Sequence, residues 1–136
     1  MKTCPMLAAM FLTCAMAQSA TAKGFDAGEP FICVPINIVS CQSGGQCSKE
    51  TADTVNLPQF LRFDIAGSQI TGTRPSCEPL ATLIDDVKHV AGNLALVGVE
   101  NDIVWSILIT ETSGDMLLTA AGDGTGYIAF GSCTDR

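Results

Sequence analysis

The residues best equipped to do chemistry are cysteines, of which there are seven in a chain of 136 residues. A thiol can bridge, ligate a metal or attack an electrophile, and spacing discriminates among the three. Cys4 and Cys14 fall in an apolar leader, so Cys33, Cys41, Cys47, Cys77 and Cys133 remain for the folded part. A zinc site needs closely paired ligands such as Cys-x2-Cys, and the tightest pair here, Cys41 and Cys47, is wider than that. In an oxidising compartment the residual reading is disulfides. Five cysteines leave an odd one and several two-bridge pairings. The segment Cys41-Gln-Ser-Gly-Gly-Gln-Cys47 has a flexible Gly-Gly centre that lets the chain reverse, which favours a local Cys41–Cys47 bridge. Cys33 and Cys133 come within reach of each other if the first strand pairs with the last. Cys77, between Pro75 and Pro79 in a loop, is then the free thiol.

Other catalytic patterns are thin. The single histidine, His89, reads as an exposed strand residue, and no serine or cysteine sits in a Gly-x-Ser-x-Gly elbow. Asp85 and Asp86 are adjacent, and neighbouring strand residues face opposite sides of a sheet, so they cannot act together on one substrate atom. Gly122-Asp-Gly-Thr-Gly126 carries glycines like a phosphate loop but has no helix behind it, and it reads as a turn. Glu111, Asp115 and Asp123 lie near turns without the spacing of a calcium loop. No catalytic, cofactor-binding or metal-binding residue is therefore assigned, and no cofactor is expected. Trp105 reads as a core residue rather than a stacking platform. Tyr127 and Phe130 point to opposite faces of one strand, so one of them must look outward or into a cavity.

The elements that would position these residues begin after residue 22. The stretch MKTCPMLAAMFLTCAMAQSATA has an early Lys2, an apolar run from Met6 to Met16 and small residues at its end, the pattern of a signal peptide cleaved after Ala22, with Ala17 as the competing site. The uncharged run falls short of the ~20 apolar residues of a spanning helix. Cys14 raises lipidation, but Leu12 and Thr13 are too large for the positions before a lipidated cysteine. No second long apolar run follows, so no stable membrane insertion is expected of the processed chain, residues 23–136, which reads as one domain.

With 47% hydrophobic and 15% charged residues the chain is too apolar for disorder. Short apolar segments recur about every ten residues between Gly, Asn, Asp and Pro, the spacing of an all-β chain. Eight strands are predicted: 31–39, 59–65, 69–73, 82–90, 94–99, 103–110, 116–120 and 126–131. In Ile103-Val-Trp-Ser-Ile-Leu-Ile-Thr110 the residues Ile103, Trp105, Ile107 and Ile109 share one face, and in 59–65 Leu61, Phe63 and Ile65 do so while Arg62 and Asp64 face solvent. Connections this short force antiparallel neighbours. The sequence thus predicts an up-and-down meander closing into a small barrel, with a β-sandwich as the alternative. Ser43 to Pro58 is predicted as a polar loop with one helical turn near Lys49 to Asp53.

The chain has 7 Lys+Arg against 14 Asp+Glu, a net −7. Loss of Lys2 with the leader makes this −8, a balance that disfavours nucleic acid and anionic lipid.

The run Gly92 to Cys133, with Trp105-Ser-Ile, Thr112-Ser-Gly-Asp and Gly126-Tyr-Ile-Ala-Phe-Gly-Ser-Cys133, together with Phe31-Ile-Cys33, resembles small uncharacterised exported proteins of proteobacteria. That resemblance implies a bacterial periplasmic or secreted location and no particular activity. Phe31, Cys33 and Cys133 also resemble the early and late positions of the periplasmic inhibitors of C-type lysozyme, which are eight-stranded barrels. Their inhibitory Ser-Gly-x-x-Tyr loop has its nearest counterpart in Thr125-Gly126-Tyr127, with no lysine downstream. The expectation is a non-enzymatic binding or accessory protein whose partner is a protein or a small apolar ligand, with inhibition of a basic hydrolase as the alternative.

Overall fold

The structure, a computed structural model, describes residues 28–134. The leader, its cleavage position and Cys14 lie outside them. All regular structure among the described residues is β: β1 (Phe31–Gln42), β2 (Cys47–Glu50), β3 (Leu61–Asp64), β4 (Gln69–Thr73), β5 (Pro79–Leu83), β6 (Asp86–Val90), β7 (Asn93–Glu100), β8 (Ile103–Thr110), β9 (Asp115–Gly122) and β10 (Thr125–Thr134). They form one antiparallel sheet in the order β5-β4-β3-β1-β10-β9-β8-β7-β6, with β2 added on β1. The sheet curls into the barrel-like all-β fold that the alternation predicts, with first and last long strands side by side.

Ten strands replace the eight expected, for two local reasons. The segment after Cys41 turns at once, with Gly45 at φ 78°, and returns as β2 along β1, so Lys49 and Glu50 are extended rather than helical. One helix-like hydrogen bond, Val55 N–H to Thr51 O at 3.3 Å, appears just downstream. The predicted strand 82–90 is the C-terminal part of a longer bent segment, residues 79–90. Its first half pairs with β4 and its second with β7. The change of partner is abrupt: Ile84 N–H donates to Ser68 O and Asp85 N–H to Val97 O, each at 2.9 Å. This corner ties the two ends of the sheet path together. The even positions Leu80, Thr82 and Ile84 point inward up to the corner, and beyond it the odd-numbered Val87 packs on the core, so the corner shifts the inward parity.

A bulge in β1 performs a similar shift. Register slips between Pro35 and Asn37, and Ile36 is 64% exposed. Phe31, Cys33 and Pro35 are buried before the bulge and Ile38 after it, so the inward set changes from odd to even numbers. Pro35 has no N–H to give a ladder, and prolines within sheets concentrate at such irregularities.

Inside, β7 contributes Leu94 and Leu96, β8 contributes Trp105, Ile107 and Ile109, and β3 contributes Leu61 and Phe63, all buried. Phe31 stacks on Phe63 with ring centroids 5.1 Å apart. Ile65 is only partly buried, just past the end of β3. Arg62 faces solvent, whereas Asp64 is half-buried and accepts a hydrogen bond from Gly67 N–H at 2.9 Å, closing the turn into β4.

Both disulfides join directly opposed residues. Cys33 faces Cys133 across β1 and β10 with Cα atoms 3.9 Å apart, and Cys41 faces Cys47 across β1 and β2 at 4.1 Å. The long-range bridge closes a sequence separation of 100 residues, the local one 6. Cys77 is free and exposed at φ 68°.

Candidate functional site

The inward faces of the strands do not fill the interior. A cavity of about 170 Å³ remains, walled by Trp105 and Ile107 of β8, Leu118 and Ala120 of β9, Tyr127 and Ala129 of β10, and Ile70 and Leu80 of β4 and β5. Its walls are apolar because these positions are the buried half of the strand alternation. A space of this size is large enough for a small apolar guest, since an enclosed engineered cavity of about 150 Å³ accommodates benzene.

Three features organise it. The first is Trp105, 6% exposed, whose indole Nε1 donates to Thr82 Oγ1 at 3.2 Å. Thr82 donates in turn to Val99 O at 3.4 Å. Thr82 is the one buried polar residue among the described residues, and its hydroxyl both accepts and donates a hydrogen bond. Trp105 lies opposite Gly98 on β7, and any Cβ at Gly98 would run into the indole ring. The glycine therefore makes room for the tryptophan.

The second feature is a polar rim. Arg74 Nη2 pairs with Glu100 Oε1 at 3.3 Å, and Arg74 Nη1 donates to Asn56 O at 3.1 Å. Both charged side chains are about three-quarters covered, at 21% and 26% exposure. The third is a covering loop. Val55 and Leu57 pack on the core and line the cavity, and the loop is held by Leu57 N–H to Ala52 O at 2.9 Å and by Ser76 N–H to Asn56 Oδ1 at 3.2 Å. Arg74 thus joins the covering loop to the end of β7. Ile103 and Tyr127, both partly exposed, complete the opening.

The sequence pattern located Trp105 and Tyr127. It did not single out Arg74 or Glu100, although Glu100 carries a signal: Leu94, Leu96 and Gly98 alternate inward, and Glu100 continues that series with a charge. Phe130 is 52% exposed, so Tyr127 is the ring that turns inward.

Of the residues weighed for catalysis, only His89 and Glu111 meet. His89 is exposed and its Nδ1 pairs with Glu111 Oε1, joining β6 to the turn after β8. Asp86 pairs with Lys88 at 3.0 Å, and that hydrogen bond holds its carboxyl below the ordinary range. Asp115 accepts from Ser113 Oγ at 2.7 Å, and Asp123 occupies the β9–β10 turn at φ 49°. Among the described residues no group of three His, Cys, Asp or Glu side chains gathers around a point that could hold an ion. Gly122 to Gly126 is a strand-to-strand turn. Thr125-Gly126-Tyr127 is part of β10 rather than a projecting loop.

Elsewhere, Glu50 Oε1 accepts from Ser40 and Ser48 at 2.9 and 2.7 Å, and Oε2 accepts from Thr54 at 2.7 Å. These hydroxyls, Ser48 first, hold its carboxyl below the ordinary range. The cluster fastens β2 and the following turn to β1.

Fold and cavity together define a small, disulfide-bridged, barrel-like all-β protein with an apolar interior site. No family model, curated protein or solved structure matches the chain. Among the described residues no helix is long and apolar enough to cross a membrane.

Proposed function

We propose that the protein is a non-enzymatic, exported binding protein of the bacterial periplasm or surroundings that takes a compact apolar ligand into its interior. The observation that carries this reading is the cavity of about 170 Å³ beside Trp105, apolar in its walls and polar only at its rim. A ligand of about six to ten heavy atoms fits such a space, given that a slightly smaller one accommodates benzene. Two disulfides and a leader-like first segment support an oxidising compartment. The exposed His89 and its partner Glu111 stand with no nucleophile beside them among the described residues and apart from the cavity, which supports binding rather than turnover.

Trp105 is the only tryptophan, so its emission reports the site alone. Titration with benzene, toluene and short alkanols is expected to shift that emission saturably. Ala120→Leu, which places bulk into the partly buried cavity wall, is expected to abolish the shift while leaving the protein folded. Emission unchanged by every member of the series would count against the reading.

A further inference from the structure

The outward faces of β7, β8, β9 and β10 form a surface that the cavity does not use. Register arranges these positions in three rows across the four strands. Phe130 and Leu117 lie in the first row, Ile128, Thr119 and Ser106 in the middle one, and Gly126 and Ala121 in the third. None of the positions in these rows is charged. Antiparallel sheets ordinarily turn polar residues outward, as β3 does with Arg62 and β6 with Asp86 and Lys88.

Val97, Val99, Val104, Leu108, Ile128 and Phe130 are between 39% and 61% exposed, and Leu117 is half-buried. At the usual side-chain areas they and their neighbours present roughly 600 Å², the upper end of the largest apolar patch on a typical monomer and most of the ~800 Å² each partner gives to a stable interface. The only polar atoms at the centre are the hydroxyls of Ser106 and Thr119, which bond each other at 2.6 Å, so burial does not leave them without a partner.

We propose that this face is the interface of a homodimer, with a twofold axis lying along the middle row. That axis places each first-row residue of one copy over the third-row residue of the same strand in the other. Phe130 then sits over Gly126, and Leu117 over Ala121, a large side chain over a small one each time. On β7 the same operation sets Val99 over Ala95, and on β8 it sets Leu108 over Val104, the one strand where two large side chains meet. A recess already exists at the Gly126 end, between Val104 and Ile128. With 14 Asp+Glu against 7 Lys+Arg, two copies repel over their charged faces, so contact between them is confined to a face such as this one that carries no charge; the fit of the rows and the area favour a second copy as the occupant.

The test is sedimentation velocity on the purified protein carrying Cys77→Ser, which removes thiol-linked dimers, across the micromolar range. A dimer is expected. A Cβ at Gly126 meets nothing within 4 Å, so the monomer tolerates Gly126→Leu. That variant and Phe130→Ala are each expected to weaken the dimer roughly tenfold or more, as loss of a central anchor does, with the far-UV circular dichroism of the folded monomer unchanged. Leu83→Asp, exposed elsewhere on the molecule, is expected to leave the dimer intact. A monomer at the highest concentration, or a dimer indifferent to both Gly126→Leu and Phe130→Ala, would overturn the proposal.

Discussion

Trp105 Nε1 donates to Thr82 Oγ1 at 3.2 Å, and through that hydroxyl the central strand β8 is joined to the corner where β5 meets β7. Thr82→Val keeps the shape but leaves a buried indole N–H unpaired, at a cost of about 1–3 kcal/mol. Chemical denaturation is expected to show that loss, and Thr82→Ser is expected to recover most of it. Equal destabilisation by Val and Ser would mean that the methyl packing matters and the hydrogen bond does not.

Gly98 is a second support of the same indole. Gly98→Ala pushes its Cβ into the Trp105 ring and is expected to cost about 1–3 kcal/mol, the usual range for overpacking. Near-UV circular dichroism should show the tryptophan band altered, while Gly126→Ala, which meets open space, leaves it unchanged.

The two disulfides are expected to differ in weight. On the chain-entropy model the Cys33–Cys133 bridge contributes on the order of 4 to 5 kcal/mol and the Cys41–Cys47 bridge roughly 2. Paired Cys→Ala replacements followed by urea unfolding measure both. A larger loss from the local bridge would show that native-state packing, rather than loop closure, sets their contribution.

Glu50 gives the fold a pH dependence. Its carboxyl is lowered by hydrogen bonds from Ser48, Thr54 and Ser40, so the folded state favours the charged form. Its contribution is complete above the ordinary carboxylate range and is lost as pH falls through the lowered folded value. Acidification is expected to loosen β2 before the remaining sheet, seen as earlier amide exchange at Ser48 and Lys49 than at Ile107. Glu50→Gln should remove this acid-sensitive step.

Much of the fold was legible because alternation is a direct record of burial. Ile103 to Thr110 and Gln69 to Thr73 stand as strands with the expected bounds. What escaped the pattern depends on events that alternation does not encode. β2 is a short, exposed strand held by a bridge and by Glu50 rather than by apolar burial. The bulge at Ile36 and the corner at Ile84 and Asp85 each shift inward parity, which reads as noise in a sequence. Arg74 and Glu100 are 26 residues apart and meet only because the sheet curls.

The interior site is the central claim, and the indole N–H of Trp105 is its most direct reporter, because the protein has a single such resonance. Benzene added to ¹⁵N-labelled protein is expected to move that resonance saturably, together with the amides of Ala120 and Ala129, and Ala120→Leu should suppress the movement. An indole resonance that stays in place up to the solubility limit of benzene, in a protein that is otherwise folded, would contradict the account.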